Sequence, residues 1–360
     1  MHTLIVGARG VGKSTLINKI IKELQLSICG FRTKKEDTLA VPGFGSPIYI
    51  YDVTSSQVQT SENLLGYCAN QNLKTCKEAF DRYSKQLHEM INPGSLIVMD
   101  ELGFMESSSE DFCNTILSLL DGTAPIIAAV KDKDTDFLRK VREHPNCRCF
   151  YITEENRNSL YEEVLRFMNL EIKPYFRKTL ILNGSPRPKG NTVALINELK
   201  KHLKGPVTEI SAFRSNIAPC VDCRGCWTTA KCVVKDEMQF IYDDDFDNVV
   251  IASPVYFSTL PGSLLSVMSR MQPWHAATFF LKDPLKQRPK KSAAILTAGG
   301  KGNQENSYHH LSAFFKMLNA TGFRDHVVCS PNTDTHPASE DKDALAQIPI
   351  LAKWLNKEGD

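Results

Sequence analysis

The chain opens MHTLIVGARGVGKSTLINKI, and no other stretch constrains its fold as tightly. A short apolar run ends at Gly7, and Leu16, Ile17, Ile20, Ile21 and Leu24 then recur at helical spacing. Between strand and helix lies the pattern GxxxxGK[ST], whose glycines let backbone amides approach an anion where a helix begins with unpaired N–H groups. Gly7, Ala8, Arg9, Gly10, Val11, Gly12, Lys13, Ser14 and Thr15 are therefore expected to hold the phosphates of a nucleotide. In that loop Lys13 neutralises phosphate charge and the Ser14 hydroxyl binds Mg2+. A loop of this kind needs an acidic partner at the end of a neighbouring strand, and SLIVMDELGFME (95–106) supplies one. Asp100 is expected to hold magnesium through its water shell and Glu101 to orient an attacking water, the positioning that dominates phosphoryl transfer.

At 360 residues and 42% hydrophobic content the chain exceeds what one core requires, so two domains are expected. A net charge of +2 with no long basic block argues against a nucleic-acid partner. KDPLKQRPKK (282–291), the densest basic run, reads as a solvated loop. No apolar stretch reaches membrane-spanning length and the N-terminus has no leader pattern, which predicts a soluble cytoplasmic protein with no membrane partner. Eleven cysteines in a long chain of this kind point to metal, redox chemistry or burial rather than a disulfide framework.

The first half resembles the small nucleoside-triphosphatases first described from thermophiles, whose human member is called cancer-related nucleoside-triphosphatase. The resemblance rests on GARGVGKST, GFRT (30–33), MDELGFME and ITEENRNSLYEEVL (152–165), and spans roughly residues 1–170. It implies a P-loop fold that hydrolyses NTPs with little base selectivity. The segment from Lys34 to Leu73 departs from that pattern, with VPGFGSPIYIYDV in place of the usual hairpin. Arg157 has two readings, one at the nucleotide and one on the surface beside a capping Asn156. Pro174 ends the following helix, and the boundary is placed near Ile172, giving domains 1–172 and 173–360.

The second half begins again with a strand, a glycine-bearing loop and a helix, RKTLILNGSPRPKGNTVALINELKKHL. The loop is not GxGxxG; it offers Ser185, Asn191 and Thr192 as donors beside Arg187, Lys189 and Gly190, suited to one terminal phosphate. NVVIASPVYFSTLPG, SAAILTAGG and GFRDHVVCS continue an alternating β/α pattern. These residues are similar to the NADPH-dependent FMN reductase and flavodoxin-like family over about residues 177–356. The resemblance implies FMN, with GSPRPKGNT at its phosphate, Pro254, Val255, Tyr256 and Phe257 beside the isoalloxazine, and Ala298, Gly299 and Gly300 at the pyrimidine end. It also implies NAD(P)H as co-substrate and a homodimer formed through this domain.

Between VTEIS (207–211) and NVVIA lies CVDCRGCWTTAKC, with Cys220, Cys223, Cys226 and Cys232 spaced C-x2-C-x2-C-x5-C. Three cysteines at successive x2 intervals resemble contiguous iron-sulfur ligation more than the separated pairs of a zinc site. The run resembles the compact motif of the iron-sulfur flavoproteins, which implies a [4Fe-4S] cluster exchanging electrons with FMN. Loops of closely similar form, including the tail CVVKDEM (232–238), also occur across the wider flavin reductases, so free or redox-active thiols stand level with the cluster, with structural zinc behind both. His275, His309 and His310 lack ligand spacing, and DDDFD (243–247) reads as a solvated strand entry.

The expected architecture is α/β throughout: a P-loop nucleoside-triphosphatase domain followed by a flavodoxin-like, doubly wound parallel sheet. The expected function is Mg2+-dependent NTP hydrolysis joined to FMN-dependent oxidoreduction with NAD(P)H or a redox protein as partner. A redox-responsive nucleotide switch and a nucleotide kinase fused to a flavoprotein are the alternatives.

Overall fold

The computed structural model describes residues 1–357 apart from 70–71, 92–93, 244, 284–286 and 302–303. Asp244 of the acidic run and 284–286 of the basic run thus lie outside the described residues. The chain divides into two units, Met1–Phe176 and Arg177 onward. The first extends past the expected boundary because the chain continues from its last helix through a wide turn, Met168–Ile172, and a tight one, Lys173–Phe176. Met168 and Ile172 pack into the first unit's core, and Pro174, within the tight turn, is buried.

The first unit begins with β1 (His2–Gly7), α1 (Lys13–Leu24), β2 (Ile28–Lys35), β3 (Ser46–Asp52), β4 (Leu64–Ala69), β5 (Asn72–Thr75) and α2 (Lys77–Met90). It continues with β6 (Leu96–Leu102), α3 (Glu110–Asp121), β7 (Ile126–Lys131), α4 (Asp136–Arg142), β8 (Cys147–Tyr151) and α5 (Arg157–Phe167). The sheet order is β5-β4-β3-β2-β6-β7-β1-β8. From β2 to β8 the pairs are parallel, whereas β3, β4 and β5 are added antiparallel to one edge. That meander is what the divergent Lys34–Leu73 segment forms. Alternation along β1 explains the layering: Leu4 and Val6 join the core under α2, α3 and α4, while Ile5 joins the core under α1 and α5. A parallel strand covered on both faces is buried throughout, as β1 is.

The second unit runs β9 (Thr179–Asn183), α6 (Asn191–His202), β10 (Val207–Ser211), the one-turn helices α7 (Cys226–Thr229) and α8 (Gln239–Tyr242), β11 (Asn248–Pro254), α9 (Gly262–Ser269) and α10 (Gln272–Phe279). It ends with β12 (Lys290–Thr297), α11 (Glu305–Met317), β13 (Ala320–Thr321), β14 (Val327–Ser330) and α12 (Lys342–Asn356). The sheet order is β10-β9-β11-β12-β13, with β14 also on β12, and every pairing is parallel. α6 and α12 cover one face, and α9, α10 and α11 the other. The order reverses between β9 and β11, so the loops after those two strands flank the crevice where ligands of open α/β sheets bind. All three tryptophans, Trp227, Trp274 and Trp354, belong to this unit.

Candidate functional site

In the first unit the glycine loop joins β1 to α1 through Gly10 (φ +83°) and Gly12 (φ +105°), left-handed positions that a side chain would strain. Gly12 caps α1 with no side-chain hydrogen bond, leaving the helix's leading amides directed at the loop. Lys13 is 4% exposed. Its Nζ donates to the carbonyls of Gly7 (2.9 Å) and Ala8 (2.7 Å) and pairs with Glu101 Oε2 at 3.1 Å. Ser14 Oγ donates to Asp100 Oδ1 at 2.6 Å, and Arg32 Nε reaches Asp100 Oδ2 at 3.2 Å. Asp100 and Glu101 are consecutive in β6, yet both reach the loop. The pairing of β6 with β7 slips between Asp100 and Leu102, which interrupts the alternation that would send them to opposite faces.

Ser14, Asp100 and Glu101 line a cleft of about 650 Å³ together with Arg9, Thr33, Lys34, Lys35, Glu106 and Lys131. Thr33 Oγ1 accepts from the Glu101 amide at 3.2 Å. Glu106 is buried beneath the cleft, and desolvation pushes its carboxyl up to about 7; Glu101 adds to the rise, while Lys131 and a hydrogen bond from the Gly103 amide oppose it. Val11 packs into the core, Thr15 is exposed, and neither is among the residues lining the cleft; nor is Arg157, the first residue of α5. Arg32, Thr33, Glu106 and Lys131 were not singled out from the sequence. Only GFRT and MDELGFME, quoted as motifs, carried any hint of three of them.

In the second unit a small cavity of about 90 Å³ lies at the crevice between the β9 and β11 loops. Ser185, Arg187, Gly190, Asn191 and Thr192 line it from one side, and Pro254, Val255, Tyr256 and Gly299 from the others. Gly190 caps α6 without a side-chain hydrogen bond, so this helix too presents unspent amides. Two of the expected donors are already engaged: Asn191 Oδ1 accepts from Ala338 N (2.9 Å) and its Nδ2 donates to Thr333 O (3.3 Å), while Thr192 shares a 2.7 Å hydrogen bond with Thr297. Thr333 and Asp334 join the lining, a contribution from the chain after β14 that no sequence signal announced. Phe257 stands fully exposed and is not among the residues lining the cavity; Ala298 is buried, its carbonyl taken by Thr333. Gly300 also lies outside that lining. The cavity lies at the uncapped start of α6, and Tyr256 on its wall is exposed.

A profile of the NTPase family matches residues 2–165, and one of the NADPH-dependent FMN reductase family matches residues 177–334. The first unit is similar to the NTPase family, and the second belongs to the FMN reductase family. The NTPase unit is 29% identical over 167 residues to the nucleoside-triphosphatase THEP1 of Thermotoga sp. (strain RQ2), covering 46% of this chain and 94% of that protein. The FMN reductase unit is 30% identical over 144 residues to an iron-sulfur flavoprotein of Methanocaldococcus jannaschii, covering 38% of this chain and 71% of the relative. An iron-sulfur flavoprotein of Methanosarcina thermophila is 26% identical over 183 residues, 48% of this chain and 91% of its own.

The cysteine loop of the FMN reductase unit is pinned at both ends. Cys220 N donates to Ser269 Oγ at 3.0 Å, and the buried Arg270 guanidinium reaches Cys232 Sγ at 3.3 Å. Arg270 also binds Asp236 (2.6 and 3.2 Å) and the carbonyls of Ala218 and Val234. Burial raises the Cys226 thiol, and Cys220, Cys223 and Cys232 raise it further. The four sulfurs do not converge: among the described residues no three His, Cys, Asp or Glu side chains form a group able to hold a metal ion. No helix among the described residues is long and apolar enough to cross a membrane.

Proposed function

We propose that the NTPase unit hydrolyses nucleoside triphosphates to diphosphate and phosphate with Mg2+, and that the FMN reductase unit passes electrons from NAD(P)H through FMN. The first reading rests on one observation, the juxtaposition of Lys13, Ser14, Asp100 and Glu101 at the mouth of α1. The Ser14 hydroxyl and Asp100 carboxylate, 2.6 Å apart, are hard oxygen donors of the kind magnesium takes, and these two residues would hold it. Bound there, the ion would neutralise charge on the phosphates. Lys13 and the loop amides bind the phosphate oxygens, and Glu101 orients a water toward the terminal phosphorus and takes its proton. In the second unit the 184–192 loop and the uncapped α6 bind the FMN phosphate, and Pro254 to Phe257 border the ring. FMN supplies hydride and electron chemistry; the protein supplies position. The exposed Tyr256 and Phe257 favour a second copy of the chain as the cover for that ring.

Full-length protein given Mg-ATP should release phosphate, stop when EDTA is added, and lose about 10²–10⁴-fold in rate as Glu101→Gln. Transfer of phosphate to a second acceptor with little free phosphate would instead favour a kinase. For the cysteine loop, spacing and kinship with iron-sulfur flavoproteins favour a [4Fe-4S] cluster. Anaerobic purification with iron and sulfide analysis should then give about four irons per chain; flavin without iron would leave the thiol reading.

A further inference from the structure

The NTPase cleft holds two lysines on one carboxylate. Glu101 receives Lys13 on Oε2 at 3.1 Å and Lys131 on Oε1 at 2.8 Å. Lys13 cannot stay where it is. Its three protons are spent on Gly7 O, Ala8 O and Glu101, and a phosphate entering the loop competes for the same ammonium. When Lys13 turns to phosphate, Glu101 loses one of its two clamps at the moment it must aim a water.

Lys131 has no such competing duty within the loop. It ends β7, the strand lying between β1 and β6, in register with Gly7, and it takes Glu101 Oε1 while Lys13 takes Oε2. Its surroundings hold it in place. Gly103 leaves the room it needs: a Cβ there would stand 3.2 Å from Lys131 Cδ, 3.3 Å from Nζ and 3.4 Å from Glu106 Oε2. Lys131 is thus paired with Glu101 at 2.8 Å, with the Phe104 ring 5.3 Å from its ammonium. Building on the hydrolytic reading above, we propose that Lys131 is a positioning residue for hydrolysis, holding Glu101 aligned once Lys13 has transferred to the nucleotide.

The test compares full-length wild type, Lys131→Met, Lys131→Arg, Glu101→Gln and the Lys131→Met/Glu101→Gln double variant, measuring phosphate release against Mg-ATP concentration and binding of a fluorescent ATP analogue. A misaligned water costs on the order of 10²-fold. Lys131→Met should therefore lower kcat by about that factor while KM and analogue affinity change less than about threefold. Lys131→Arg should recover most of the loss, and the double variant should be no slower than Glu101→Gln alone, as for residues that act as a unit. Unchanged kcat in Lys131→Met overturns the proposal, as does a loss carried by KM, which would make Lys131 a nucleotide ligand. If Lys131→Met does not fold, Lys131→Gln removes the charge and shortens the reach to Glu101 by one atom, and an undiminished kcat there overturns it equally. A wild type that releases no phosphate sinks the hydrolytic reading and this inference with it; an active wild type with an equally active Lys131→Met sinks the inference alone.

Discussion

Glu101 and Glu106 lie five residues apart and meet opposite fates. Glu101 is paired by two lysines, whereas Glu106 is buried with one amide bond and a share of Lys131. A carboxyl whose folded pKa rises from 4.5 to about 7 stabilises the native state fully below pH 4.5 and loses that contribution as pH climbs through 7. The shift corresponds to roughly 3 kcal/mol. Glu106→Gln removes the titration and keeps an acceptor for Gly103 N, so its urea midpoint should vary less between pH 5 and 8 than wild type's and exceed it at pH 8. Far-UV circular dichroism of the full chain reads this, with tryptophan fluorescence reporting the second unit separately; equal pH slopes in the two proteins would refute the assignment. Glu101→Gln carries a second expectation. The carboxylate occupies the ammonium that phosphate must win, so its removal should tighten binding of a non-hydrolysable ATP analogue while turnover falls, and weakened binding would count against the competition described.

At the scale of elements, two loops depend on ties to distant residues. The cysteine loop hangs on Arg270, 1% exposed, whose hydrogen bonds to Asp236, together with those from the Ala218 and Met238 amides, outweigh the burial that would otherwise raise that carboxyl. Arg270→Met leaves Asp236 buried and unpaired, at a cost of about 3–5 kcal/mol. Urea unfolding followed by tryptophan emission should show it, and a change below about 1 kcal/mol would mean the pair is not the anchor. The chain after β14 is tied to α6 by the two hydrogen bonds of Asn191. Asn191→Ala should weaken FMN binding, read by flavin fluorescence quenching, without changing phosphate release. Both strand–loop–helix units and the acidic end of β6 were legible in the sequence because each is a local pattern of a few residues around glycine or after an apolar run. Lys131, Arg270 and Asp334 were not. Each gains its meaning from a partner far along the chain, and nothing in VKDKD or MSRMQ marks one lysine or arginine as the member that faces inward. The same holds for Thr192 and Asn191, legible as donors but not as groups already engaged with Thr297 and the 333–338 segment.

The whole molecule is two complete cores in one chain, each a sheet covered on both faces. Neither core's strands or helices cross the division after Phe176. Chains ending at Phe176 and starting at Arg177 should therefore each fold, the first releasing phosphate and the second binding FMN; an unfolded 1–176 fragment would show that the first core is not self-sufficient. The placement of the indoles gives this architecture an optical asymmetry. With Trp227, Trp274 and Trp354 all beyond Arg177, selective tryptophan excitation lights one unit and leaves the other dark. A nucleotide bound at Lys13 has no indole in its own unit to perturb, so a shift of emission wavelength on adding Mg-ATP reads a change felt by the flavin half. A spectrum that stays still through saturation would describe two machines that share only a peptide bond.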